Sequence, residues 1–90
     1  MNSHADRDFW KLFHALPPDV RRQARKAFDL FQDDPFNPKL RFKELKGHRG
    51  FWEVSINRDV RGIGRRVGNN IDWFWIGDHE AADKIIDRLR

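Results

Sequence analysis

The segment DDPFNP, residues 33–38, limits what this chain can become. Pro35 and Pro38 each push the preceding residue out of the helical region, so no helix runs through this stretch. Before it, apolar residues recur at helical spacing; after it, they alternate. A period that changes from 3.6 to 2 across one loop predicts helices first and strands second, an α+β fold.

Upstream, Phe9, Leu12, Phe13 and Leu16 fall at i, i+3, i+4 and i+7, one face of a short helix. Ser3 or Asp6 is placed to cap it, and Pro17-Pro18 ends it. Pro18 opens a second helix, where its missing donor costs nothing, with Asp19 near the positive end of the dipole. Val20, Ala24, Ala27, Phe28 and Phe31 form that helix's apolar stripe, and Arg21, Arg22, Arg25 and Lys26 its basic outer face.

Downstream, FWEVSIN sends Trp52, Val54 and Ile56 one way and Phe51, Glu53 and Ser55 the other, as in a half-buried strand. KGHRG before it reads as a turn, which makes LRFKEL the preceding strand. The apolar phase of LRFKEL slips between Phe42 and Leu45, predicting a bulge or an early end there. VRGIGRRV and residues 71–77 supply the last two strands, joined by GNN. Asp78 or His79 then caps a final helix carrying Ala82, Ile85, Ile86 and Leu89. The expected architecture is an N-terminal helical hairpin packed on a roughly four-stranded antiparallel sheet, with a short C-terminal helix. Residues 1–90 read as a single domain, without repeat or linker.

Charge narrows the choice of partner. Eighteen Lys and Arg against 14 Asp and Glu leave a net charge of +4, which suits a polyanionic or acidic partner. With no cysteine, disulfides and thiolate zinc sites are excluded and a reducing cytoplasm is allowed. Met1 to Asp8 lack the apolar core of a secretory signal, and no apolar run approaches the roughly 20 residues of a spanning helix. A soluble protein with no membrane partner is expected.

The strand VRGIGRRV is unusual. Gly62 and Gly64 weaken a strand interior and mark a bulge or the close approach of a ligand or another backbone. Alternation puts Arg61, Ile63 and Arg65 on one face and Val60, Gly62, Gly64 and Arg66 on the other. Two readings stand: an edge whose arginines discourage aggregation, or a guanidinium displayed for a phosphate, which its planar fork grips through two oxygens. Among the histidines, His4 and His14 read as surface residues and His48 as a turn residue. His79 ends a strand, where functional groups are displayed. No metal is expected, since no H-x-H or H-x-x-x-H pair occurs and Asp78, His79 and Glu80 are adjacent rather than spaced along one face.

Taken in order, LPPDVRRQARKAFDLFQDDPFNPKLRFKELKG, FWEVSINRDVRGIGRR and WFWIGDHEAADKII resemble the RelE/ParE superfamily of bacterial toxins from toxin–antitoxin modules. The resemblance covers residues 9–86. It implies a small sheet with a helical hairpin on one face and a groove on the other. Its RelE-like branch cuts messenger RNA on the ribosome; its ParE-like branch inhibits DNA gyrase. Residue by residue, Arg61 in DVRG matches the family's strand arginine, and His79 in IGDH matches its C-terminal histidine. Lys43, Lys46 and His48 fall where the family places further basic or acid–base groups. Family members commonly carry a tyrosine three residues beyond that histidine; here the position is Ala82, and the chain has no tyrosine.

The implied chemistry requires no cofactor. RNA supplies its own nucleophile, the 2′-hydroxyl, so the protein need only move protons and neutralise charge. Arg61 suits charge neutralisation, His79 suits proton transfer, and Glu53 is either a base or the cross-strand ion partner of Arg61 or Arg65. Trp73 or Trp75, on one alternating face, is either a base-stacking platform or core. Lys43, Lys46, His48 and Arg65 would hold substrate phosphates, and Arg21, Arg22, Arg25 and Lys26 would contact ribosomal RNA or simply face water. The implied partners are the ribosome with its mRNA and an acidic, partly disordered antitoxin that folds on binding.

Overall fold

A computed structural model describes residues 1–89. Its elements run β1 (Asn2–Ala5), α1 (Arg7–His14), α2 (Pro18–Asp33), a 3-10 turn (Pro38–Leu40), β2 (Lys43–Glu44), β3 (Phe51–Ser55), β4 (Val60–Val67), β5 (Asn70–Asp78) and α3 (His79–Ile86). The strands form one sheet in the order β1-β5-β4-β3-β2.

Both helices of the hairpin form where periodicity puts them. Asp6 caps α1, its carboxylate accepting from the Phe9 amide at 2.9 Å. Pro18 occupies the first turn of α2. The apolar stripes of α1 and α2 bury Phe9, Phe13, Ala24, Ala27 and Phe31 against one face of the sheet, where Val54, Val60, Ile71, Trp73 and Ile76 meet them. Burial of each such phenylalanine contributes about 1.5–3 kcal/mol. The other face carries a second core, Leu45, Phe51, Ile63 and Ala82, covered by α3 through Ile85 and Ile86. The face expected to be a groove is therefore partly filled by its own helix.

Three expectations need correction. The sheet has five strands rather than four, because Asn2–Ala5 pair in parallel with Asn70–Trp73. These polar residues carry no apolar alternation; their strand rests on backbone pairing and on Ser3, whose hydroxyl accepts from the Trp73 indole N–H at 2.9 Å. The strand expected over LRFKEL shrinks to Lys43–Glu44, because a 3-10 turn and Arg41 in the left-handed region (φ 46°) occupy its start. The phase slip there reflects two cores: Phe42 turns toward the helical hairpin and Leu45 toward α3.

The third correction concerns the tryptophans. Ile63 pairs with Trp75 but Gly64 with Trp73, so Phe74 is the extra residue of a β-bulge. The bulge reverses the phase: Trp73 is buried on the hairpin side at 1% exposure, whereas Trp75 packs beside α3. The two rings do not share a face, and Trp73 is core.

Gly64 makes the burial of Trp73 possible. A methyl group there would stand 2.8 Å from the indole Cε3, 2.9 Å from the Asp72 carbonyl and 3.0 Å from Ile71 Cγ1. Gly64→Ala should therefore cost about 1–3 kcal/mol by overpacking, read as a shifted midpoint in urea unfolding with an unchanged slope. An unshifted midpoint would mean that the indole moves aside freely.

Candidate functional site

Strand pairing places Arg61 opposite Ser55 of β3 and Gly77 of β5, at the end of the sheet where β3 turns into β4. The turn itself is held by Asn57. Its side-chain oxygen accepts from the amides of Asp59 and Val60, both at 2.8 Å, and its amide donates to Gln23 of α2 at 2.7 Å. Arg61 Nη1 donates to the carbonyls of Asn57 (2.7 Å) and Val60 (3.1 Å). Nε and Nη2 bond to no other described side chain or backbone group, and they carry three of the five guanidinium donors. The guanidinium is thus anchored by one nitrogen and open at the other two. It lines a hollow of about 310 Å³ with Lys39, Arg41, Ser55, Asn57 and Arg58.

His79 is tied to the same turn. Its amide donates to the Asp59 carbonyl at 2.8 Å, and Asp78 caps α3 by accepting from the Ala81 amide at 2.8 Å. His79 is exposed and opens α3 rather than ending β5. It does not line the hollow that Arg61 lines. The structure thus collects Arg61 and His79 on one turn through a side chain and a backbone amide.

Glu53 lies on the same sheet face as Arg61, two residues along and roughly 7 Å away by strand rise. Its ion partner is neither Arg61 nor Arg65. Lys43, directly opposite across the β2–β3 pair, reaches Glu53 Oε1 at 3.6 Å. Arg65 lies instead over the Phe51 ring, 5.2 Å from its centroid and within the roughly 6 Å reach of a cation–π contact. Lys46 and His48 belong to the β2–β3 turn, which closes against the Arg65 end of β4. Four strand residues, roughly 13 Å, separate that end from Arg61.

The basic face of α2 also divides. Arg21 donates to the carbonyls of Leu16 (2.6 Å) and His14 (3.3 Å), which closes the connection between α1 and α2. Arg25 lies over the Phe13 ring at 5.1 Å, and Arg22 and Lys26 are exposed. Ala82 is buried at 2% exposure between α3 and the sheet, so the position where the resemblance implies a tyrosine is core here.

Lys39, Arg41 and Arg58 were missed in the sequence. Lys39 and Arg41 belong to the 3-10 turn and Arg58 to the β3–β4 turn, which only the tertiary fold brings together, and their one local signal is that each adjoins a breaker or a turn. Because Lys43 is largely exposed, its pair with Glu53 is weakly coupled. Glu53→Gln should change stability by less than about 1 kcal/mol in chemical denaturation, and a larger loss would show that the pair holds β2 in the sheet.

The sequence model of the ParE-like toxin domain matches residues 18–84. Among solved structures, the chain is similar to one in the RelB-RelE antitoxin-toxin complex from Methanococcus jannaschii, with a TM-score of 0.74 and 16% identity over 91% of this chain and 96% of that one. It is similar to YafQ from E. coli strain BL21(DE3), with a TM-score of 0.71 and 12% identity over 90% and 96% of the two chains. The YoeB/ParE toxin from Agrobacterium tumefaciens aligns with a TM-score of 0.68 and 16% identity over 88% of this chain and 99% of that one. No curated protein matches the sequence. Identities this low speak to fold, which is that of the RelE, YoeB and YafQ toxins.

Proposed function

The chain belongs to the ParE-like toxin domain family, and on that premise we propose that it is the toxin of a toxin–antitoxin module, a metal-independent endoribonuclease cutting messenger RNA on the ribosome. The observation that carries this reading is the anchored, half-open guanidinium of Arg61, held on the same turn that fixes His79. In the proposed reaction the ribose 2′-hydroxyl attacks the adjacent phosphorus and the 5′-oxygen leaves. One proton is removed from the nucleophile and one is delivered to the leaving oxygen. Arg61 neutralises charge developing on the phosphoryl oxygens, and His79 transfers a proton. Glu53, on the Arg61 face, is the carboxylate assigned the opposite proton transfer.

Around this centre, Lys43, Lys46, His48 and Arg65 hold flanking phosphates along the sheet. Arg22, Arg25 and Lys26 face ribosomal RNA. Arg21, committed to the Leu16 carbonyl, contributes mainly to the fold. The whole of residues 1–90 acts as one domain, in the cytoplasm, without a cofactor. The relative from M. jannaschii is an antitoxin–toxin complex, and by that likeness an acidic cognate antitoxin covers this basic surface.

A second reading is favoured by the matching sequence model, which is ParE-like, and by the buried Ala82 where the resemblance implies a tyrosine. In it the protein inhibits DNA gyrase, or binds antitoxin and RNA without cutting. Mapping transcript 5′ ends after expression separates the readings. New ends on translated messages, reduced about 10²–10³-fold in Arg61→Ala and about 10²–10⁴-fold in His79→Ala, are expected for the nuclease. Gyrase-linked DNA breaks with intact transcripts would replace it with the inhibitor.

A further inference from the structure

The hollow beside Arg61 continues into a second one. A depression of about 330 Å³ between α2, the 3-10 turn and the end of β3 is lined by Gln23, Lys26, Ala27, Leu30, Lys39, Leu40, Ser55 and Ile56. It shares Lys39, Ser55 and Ile56 with the hollow of about 310 Å³ that Arg61 lines. The two therefore form one groove around the end of the sheet. Five cations border it, Lys26, Lys39, Arg41, Arg58 and Arg61, and no aspartate or glutamate does. Only Arg58 has an acidic partner among the described residues, Asp59 at 3.6 Å, and both side chains of that pair are open to solvent.

A row of cations without counter-charges raises a local positive potential that draws in a polyanion. Arg41 adds a second sign. It is the one non-glycine residue with positive φ among those described, at 46°. Such a backbone costs about 1–3 kcal/mol and persists where the surroundings hold it, here between a 3-10 turn and a strand. Arg41 is among the residues that line the groove. The floor between the cations is apolar, formed by Ala27, Leu30, Leu40 and Ile56. A basic groove that follows the surface suits a polymer with regularly spaced phosphates.

We infer that this groove is a track for single-stranded RNA, leading a strand past Lys39 and Arg41 to the linkage held at Arg61. The inference rests on the nuclease reading for its direction, since Arg61 is where the track ends. It assigns to Lys39, Arg41 and Arg58 the binding of phosphates flanking that linkage, at the sheet end opposite to Lys46 and His48.

The test is direct binding of an eight-nucleotide 2′-O-methyl RNA, which lacks the nucleophile and stays intact, followed by fluorescence anisotropy at several salt concentrations. The test variant is Lys39→Gln with Arg41→Asn, since asparagine tolerates left-handed backbone. The control is Lys11→Gln with Arg88→Gln, which removes the same charge from exposed positions away from the groove. Melting curves of both confirm folding. Each cation–phosphate contact adds about 0.7 to the salt slope for a single strand. The test variant should therefore lose about 1.4 from that slope, making its affinity loss between 50 and 200 mM salt about sevenfold smaller than that of the unaltered protein. Affinity and slope equal to those of the control would overturn the track, as would failure of the unaltered protein to bind the RNA. Neither result depends on cleavage. If transcripts are cut while the test variant binds like the control, the nuclease reading stands and the track fails. If the RNA binds along the groove and no transcript is cut, the track stands and the nuclease reading fails.

Discussion

The burial of one indole organises this molecule. Trp73 sits in the middle of β5 with Phe28, Phe31 and Phe42 arranged edge-on around it, at centroid distances of 5.2, 5.4 and 6.0 Å. Those three rings come from α2 and from the segment after the breaker, so one side chain joins the hairpin to the sheet. Its N–H recruits Ser3 and thereby the first strand. A ring of this size fits only because Gly64 has no side chain across the strand pair. The two glycines that make VRGIGRRV look like a poor strand are thus a packing requirement, with Gly62 facing Val54 and Phe28 on the same side.

The bulge at Phe74 follows from that commitment and shapes the candidate site. With Trp73 fixed toward the hairpin, the extra residue lets Trp75 turn toward α3 and still leaves Ile76 in the first core. Both faces of the sheet acquire apolar contents, which is why α3 can pack where an open face was expected. The strand then reaches Gly77 and Asp78 in register with the start of β4, and His79 can bond to the Asp59 carbonyl. Polar groups collect at this end of the sheet because the cores stop there.

Periodicity made much of this legible. The stripes of α1 and α2, the alternation in β3 and β4, and the apolar face of α3 all follow from spacing, because each is a local response to one buried surface. What spacing could not show is equally specific. Asn2–Ala5 become a strand through a neighbour 68 residues away, with no apolar pattern of their own. The tryptophan faces depend on a bulge that an unbroken run of large residues conceals. Glu53 was paired with the wrong cation because the choice among Lys43, Arg61 and Arg65 depends on register. Of the candidate site, Arg61 and His79 were readable from strand alternation and strand ends. Lys39, Arg41 and Arg58 were not, since the 3-10 turn meets the β3–β4 turn only in the folded chain.

The pairing of β1 with β5 has a consequence for how the protein is made. Residues 2–5 leave the ribosome well before their hydrogen-bonding partners, residues 70–73. The indole that anchors the hairpin-side core is among those late arrivals. Contacts of such long sequence separation close last. During synthesis, then, the helical hairpin emerges well before the sheet it packs on, and the native state is withheld until residues 70–73 have followed.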